Sequence, residues 1–140
     1  MAAKYNSIAL VAVKGDSERI PKKNIKPFSN TSLLELKLKQ LIKSNSVDKI
    51  IVSSESSDAL DIARSFNEVD IHQRDPRYSS NHIPMSEVYS YLASDMHCNY
   101  IMWVPVTNPL IQPDIYTNAM QKFLEQDHNF DCLLSCVKVN

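Results

Sequence analysis

Glycine is almost missing from this chain: Gly15 is the only one in 140 residues. That scarcity removes whole classes of phosphate site, because a dinucleotide-binding turn needs three glycines at fixed offsets and a Walker A loop needs two. Cysteine is scarce too. The three present are an odd number without C-x-x-C spacing, which argues against a disulfide framework and against a structural zinc site. Cys132 and Cys136 stand in an apolar run that reads as a strand, about 13 Å apart at roughly 3.3 Å per residue. That exceeds disulfide reach, which ends near ~7 Å between Cα atoms, so both are expected to be small buried hydrophobes. The four histidines show neither H-x-x-x-H nor H-E-x-x-H spacing, and no metal site follows from them.

Long hydrophobic runs are lacking as well. None approaches the roughly 18 residues of a membrane span, and the opening MAAKYNS has no apolar signal segment, so a cytoplasmic chain without a membrane partner is expected. Neither sign of charge dominates: 15 Lys and Arg against 16 Asp and Glu leave a net charge of -1. There is no global field to draw in nucleic acid, and any anion site must be local. With 44% hydrophobic and 22% charged residues the chain has a globular composition, and its length suits a single domain over residues 1–140.

What is present is an alternation of strand-like and helix-like segments. Ser7–Val13 is apolar on both faces, as a central parallel strand should be. Ser32, Leu33, Leu34, Glu35 form a capping-box pattern before Leu34, Leu38, Leu41 and Ile42 at helical spacing, predicting a helix over Leu33–Lys43. Asp48–Ser53 predicts a strand, Asp58–Phe66 a helix with Leu60 and Ala63 inward, and Val69–His72 a brief third strand. The segment QRDPRYSSN reads as an exposed loop. Met85–Ala93 predicts a helix with Met85, Val88, Tyr89 and Leu92 toward the core. Tyr100–Val106 predicts a fourth strand, TNPLIQPD a turn, Asp114–Gln126 a helix with Pro113 in its first turn, and Cys132–Val139 a fifth strand. Such alternation implies an α/β fold with a parallel sheet and helices on both faces. Ligands bind such sheets beyond the carboxyl ends of the strands, where the loops after Val13, Val52 and Val106 fall.

The loop after the first strand holds Lys14, Gly15, Ser17, Arg19, Lys22, Lys23, Asn24 and Lys26. Cations with hydroxyl and amide donors can neutralise and orient phosphate oxygens. A solvated basic loop would have the same composition, and Asp16 and Glu18 dilute the field.

The wording of that loop is more specific. Val13 to Asn24, VKGDSERIPKKN, resembles the opening of the acylneuraminate cytidylyltransferase family, a strand followed by A-R-G-G-S-K-R-I-P-x-K-N. Ile50 to Ala63, IIVSSESSDALDIA, is similar to the family's V-V-S-T-D-x-x-E-I-A. QRDP is similar to its R-P loop, and Thr107, Asn108, Pro109, Leu110 to its T-S-P-L. The resemblance implies a three-layer Rossmann-like nucleotidyltransferase fold and transfer of CMP from CTP to an acidic, sialic acid-like sugar, with Mg²⁺ as cofactor and pyrophosphate released. Carried over by position, it implies Lys14 and Lys23 as catalytic cations and Lys14, Gly15, Ser17, Arg19, Lys23 and Asn24 around the nucleotide. Arg74, Thr107 and Asn108 would meet the sugar.

There are departures. Lys14 stands for the family's arginine, Asp16 for its second glycine and Glu18 for its lysine. Pro105 replaces a residue that is commonly glutamine, and Ser53, Ser54, Glu55 replace Ser-Thr-Asp. Family members continue past the length of this chain, into segments that contribute to dimerisation and supply aspartates for the metal, so a shortened nucleotide-binding portion is expected and no metal ligand is identified in it. The resemblance also admits a homodimer. Two readings stand at this point: a CMP-transferring enzyme, and a non-catalytic relative that binds a nucleotide sugar or a protein partner.

Overall fold

The computed structural model describes residues 3–15, 20–27, 29–126 and 130–136. Its elements are β1 (Tyr5–Ala12), α1 (Leu33–Ser44), β2 (Lys49–Ser54), α2 (Ser57–Arg64), β3 (Val69–Gln73), a 3-10 turn at Pro76–Ser79, α3 (Met85–Asp95), β4 (Cys98–Trp103) and α4 (Pro113–Leu124). The strands form one sheet in the order β3-β2-β1-β4, and all three neighbouring pairs are parallel, with Leu10 of β1 opposite Ile51 of β2 and Trp103 of β4. Three layers result, as expected.

Strand alternation explains the layers. Ala9, Val11 and Val13 point to one face, where they pack with Leu34, Leu38 and Leu41 of α1, Ala59, Leu60 and Ala63 of α2, and Tyr116 of α4. Ile8 and Leu10 point to the other, against Val88 and Leu92 of α3 and Met96 just after it. β1 is therefore sealed on both sides, which its unbroken apolar run requires.

Local chemistry sets the boundaries. The Ser32 hydroxyl caps α1 by accepting the Glu35 amide, and Asn45 closes it in the left-handed conformation at φ 46°, which asparagine tolerates better than most residues. β4 stops at Trp103 and not at Val106. The Val104 amide still reaches the Leu10 carbonyl at 3.0 Å, but Pro105 has no N–H to continue the ladder. The chain leaves the sheet there and becomes a cavity wall.

Two other expectations fail. Cys132–Cys136 is irregular, with both cysteines exposed, so the predicted fifth strand is not formed over those residues; positions 137–139 lie outside the described residues. Cys132–Cys136 pairs with no strand among the described residues, and apolar composition alone does not make a strand. In α3, Val88 and Leu92 are buried, but Met85 is 50% exposed and Tyr89 is exposed. Tyr89 packs edge-on against Trp103 with ring centroids 4.5 Å apart.

Leu38→Ala should destabilise the chain by about 2–5 kcal/mol, the cost of a buried leucine cavity, whereas Cys136→Ser should stay within about 0.5 kcal/mol. Urea denaturation of both variants checks the assignment of core and surface.

Candidate functional site

In the order β3-β2-β1-β4 the chain direction of assembly reverses between β1 and β4. The loops that leave these two strands diverge and open a crevice, the usual ligand site of an open α/β sheet. A cavity of about 820 Å³ occupies that position, a size suited to a nucleotide or similar ligand. Ala12, Lys14, Lys23 and Asn24 line it from the β1 side, Glu55 from β2, Ser79 to His82 from beyond β3, and Trp103 with Pro105 to Thr107 from the β4 side.

Glu55 organises the floor. Its Oε1 accepts the Gly15 amide at 2.8 Å, while Oε2 accepts Arg74 Nη2 at 3.0 Å and the Ser79 hydroxyl at 2.6 Å. Burial alone would raise the Glu55 carboxyl, but bonds from Ser79 and Gly15, its own amide, and the Arg74 charge together bring it below the ordinary value. Arg74 is only 3% exposed. Its Nη2 also donates to the Val13 carbonyl, so one guanidinium ties the ends of β1 and β2 to the end of β3.

Gly15 sits where no side chain fits. A Cβ there would lie 2.4 Å from Ser56 Cβ and 2.9 Å from its hydroxyl. The single glycine is thus required by close approach of the β1 loop to the start of α2, and not by a left-handed backbone, since no glycine has positive φ.

The cations are placed differently from one another. Lys14 Nζ donates to Asn81 Oδ1 at 2.6 Å, linking the β1 loop to the segment after the 3-10 turn. Lys23 lines the cavity with no ionic or hydrogen-bond partner for its ammonium among the described residues. Asn24 Nδ2 donates to the Lys14 carbonyl at 3.3 Å, and its buried Oδ1 accepts no hydrogen bond among the described residues. An unsatisfied buried amide oxygen costs stability unless a ligand donor meets it.

Of the residues predicted from the sequence, Lys14, Lys23, Asn24 and Thr107 meet around this cavity, and Gly15 lies behind it on Glu55. Ser17 and Arg19 lie outside the described residues. Arg74 is below the floor and lines a smaller adjoining cavity of about 300 Å³. Asn108 is exposed, and its carbonyl points back to Lys37. Sequence reasoning missed Glu55, Ser79, Asn81, His82, Met85 and Trp103. The signal for Ser79 to His82 was positional, because a loop that follows a parallel strand emerges at the same sheet edge as the others.

A different arrangement invites a nucleophilic reading and fails it. Ser53 Oγ lies 3.0 Å from His72 Nδ1, and His72 Nε2 lies 3.2 Å from Asp95 Oδ2. Ser53 is 0% exposed, so no substrate reaches it, and the row of three serves to join β2, β3 and α3.

A cytidylyltransferase family model matches residues 8–138. The chain belongs to the cytidylyltransferase family. Pseudaminic acid cytidylyltransferase of Campylobacter jejuni is 23% identical over 129 residues, covering 89% of this chain and 56% of that protein. N-acylneuraminate cytidylyltransferase B of Danio rerio is 27% identical, covering 93% of this chain and 30% of that protein. The chain therefore spans about half or less of the length of these relatives. Among solved structures, a cytidylyltransferase from Leptospira borgpetersenii superposes with a TM-score of 0.71 at 22% identity, over 89% of this chain and 51% of that one. CMP:2-keto-3-deoxy-manno-octonic acid synthetase complexed with CTP gives 0.70 at 10% identity, over 86% and 48%. These likenesses carry the nucleotidyltransferase fold.

No group of three His, Cys, Asp or Glu side chains comes together among the described residues. The one described carboxylate lining the cavity, Glu55, has both oxygens engaged. No helix among the described residues is long and apolar enough to cross a membrane.

Gly15→Ala should destabilise the chain by about 1–3 kcal/mol through overpacking. Ser56→Gly in the same chain should recover most of the loss, because glycine caps a helix nearly as well as serine; thermal melts of the single and double variants check this. Glu55 also predicts a pH dependence. Its folded value lies below the ordinary 4.5, so its contribution is complete above that value and is lost as the pH falls through the folded one. The stability gap between wild type and Glu55→Gln should shrink on acidification through that window, as measured by urea denaturation at a series of pH values.

Proposed function

We propose that the cavity between β1 and β4 binds CTP and that the chain takes part in transferring CMP to a hydroxyl of an acidic, sialic acid-like 2-keto sugar, with release of pyrophosphate. The observation that carries this reading is electrostatic. Lys14 and Lys23 face one cavity whose only described carboxylate is already offset by buried Arg74, so the cations are left to act on a ligand. A low-dielectric crevice strengthens that attraction beyond what the neutral overall balance suggests.

In this reading the sugar hydroxyl oxygen bonds to the α-phosphorus as the bond to the bridging oxygen breaks. Pyrophosphate leaves with the electron pair, and the hydroxyl proton passes to solvent. Transfer of this kind depends on in-line placement and on stabilising charge at phosphoryl oxygens. Lys23 supplies a free ammonium for those oxygens. Lys14, held by Asn81, supplies a fixed one, and the orphan Asn24 Oδ1 is an acceptor for a ligand donor. Trp103, Met85, Pro105 and Thr107 form a less polar wall, which suits the sugar better than the triphosphate. Support for an acidic sugar comes from the relatives named for pseudaminic acid and N-acylneuraminate. Mg²⁺ belongs to this proposal only as a partner of the triphosphate, and no step is assigned to it.

Calorimetric titration with CTP, with and without Mg²⁺ and against ATP and GTP, tests the reading. Selective CTP binding is expected; no binding to any nucleotide would overturn it and favour a non-catalytic relative. Lys23→Ala should weaken CTP binding by about 1.5–3 kcal/mol, the value of a charge-assisted hydrogen bond, while exposed Lys39→Ala should leave it unchanged.

A further inference from the structure

Lys37 is the largest fully buried side chain, at 0% exposure. It stands on the inward face of α1, in the stripe of Leu34, Leu38 and Leu41, where a leucine or methionine would pack without desolvating a charge. Burying an ammonium is costly unless its hydrogens are bonded. Here they are bonded to neutral groups only: Gln40 Oε1 and the Asn108 carbonyl, each at 2.8 Å, and the Tyr116 hydroxyl. Gln40, one turn further along α1, donates to the next carbonyl of the same turn, Pro109, at 2.6 Å. Two consecutive carbonyls of the segment after β4 are therefore held by two side chains of α1, and the Tyr116 hydroxyl fastens α4 to the same ammonium.

The residues just before those carbonyls, Pro105, Val106 and Thr107, line the 820 Å³ cavity, whereas Lys37 and Gln40 do not. After Pro105 ends the β4 ladder, the sheet no longer fixes this wall, and the α1 contacts take over that task.

We propose that Lys37, together with Gln40, is a positioning residue that sets the Thr107–Pro109 turn as the sugar-side wall of the cavity. The inference rests on the reading above for what lies against Thr107, but the clamp itself is defined by the loop. Burial lowers the Lys37 ammonium to about 8 and raises the Tyr116 hydroxyl to about 12. Near neutral pH the ammonium is charged and donates to all three partners. Once it is neutral, it keeps two hydrogens for Gln40 and Asn108 and accepts one from Tyr116.

The test uses Lys37→Met and, because that change also alters the core, Gln40→Ala, which removes the Pro109 tether and one acceptor of the Lys37 ammonium but leaves the bonds from Lys37 to Asn108 and Tyr116. Hydrogen exchange of the full chain should show the Thr107, Asn108 and Leu110 amides exchanging at least tenfold faster in both variants, with those of the Lys22–Asn24 turn and the CTP affinity within twofold of wild type. In turnover with N-acetylneuraminate as probe, the KM for the sugar should rise at least tenfold while the KM for CTP stays within twofold. Unchanged loop exchange in Gln40→Ala, or equal rises in both KM values, would overturn the clamp. If wild type binds no CTP, the functional reading fails, and the exchange comparison still decides whether Lys37 and Gln40 hold the loop.

Discussion

Glu55 accepts the Gly15 amide on one oxygen and Arg74 with Ser79 on the other, and the cavity floor is organised around that carboxylate. Three strands end at the same sheet edge, and nothing in a parallel ladder holds their ends in register once the chain leaves it. The carboxylate supplies that tie, and Arg74 extends it to the Val13 carbonyl. A buried carboxylate and a buried guanidinium are each costly alone. Their pairing keeps both within the floor and offsets the two charges beneath the cavity. Among the described residues lining the cavity, Lys14 and Lys23 then face no unpaired carboxylate.

This arrangement follows from topology as much as from residue choice. Placing β1 between β2 and β4 puts the first two crossovers, through α1 and α2, on one face and the third, through α3, on the other. The crevice opens where the two directions part. Gly15 lets the β1 loop pass close to Ser56 at the foot of α2, which keeps that loop low enough for Lys14 to reach across to Asn81.

Much of the framework was legible in the sequence. Apolar periods and caps located all four observed strands and the helices between them, because these signals depend on neighbours three or four residues away. The motif at Val13 to Asn24 pointed to the family, and Lys14, Lys23, Asn24 and Thr107 do meet in one cavity. What could not be read depends on contacts between distant residues. Glu55 stood in the sequence only as a departure from the family's Ser-Thr-Asp, and its structural role was hidden because its partners stand 40, 19 and 24 positions away. Lys37 breaks the apolar stripe of α1 and would be assigned outward by any polar-versus-apolar count. Met85 and Tyr89 fit the helical period, but α3 is longer than the face it buries, and its first turn borders the cavity. Cys132–Cys136 has strand composition without a strand beside it.

The early end of β4 has one more effect. Trp103 is the only tryptophan of the chain, and stopping the strand there leaves its indole at the wall of the cavity, edge-on to Tyr89. Indole emission responds to the polarity and proximity of whatever replaces water around the ring. The tryptophan fluorescence of these 140 residues therefore originates at the candidate site, so they carry a built-in optical reporter of occupancy that needs no label.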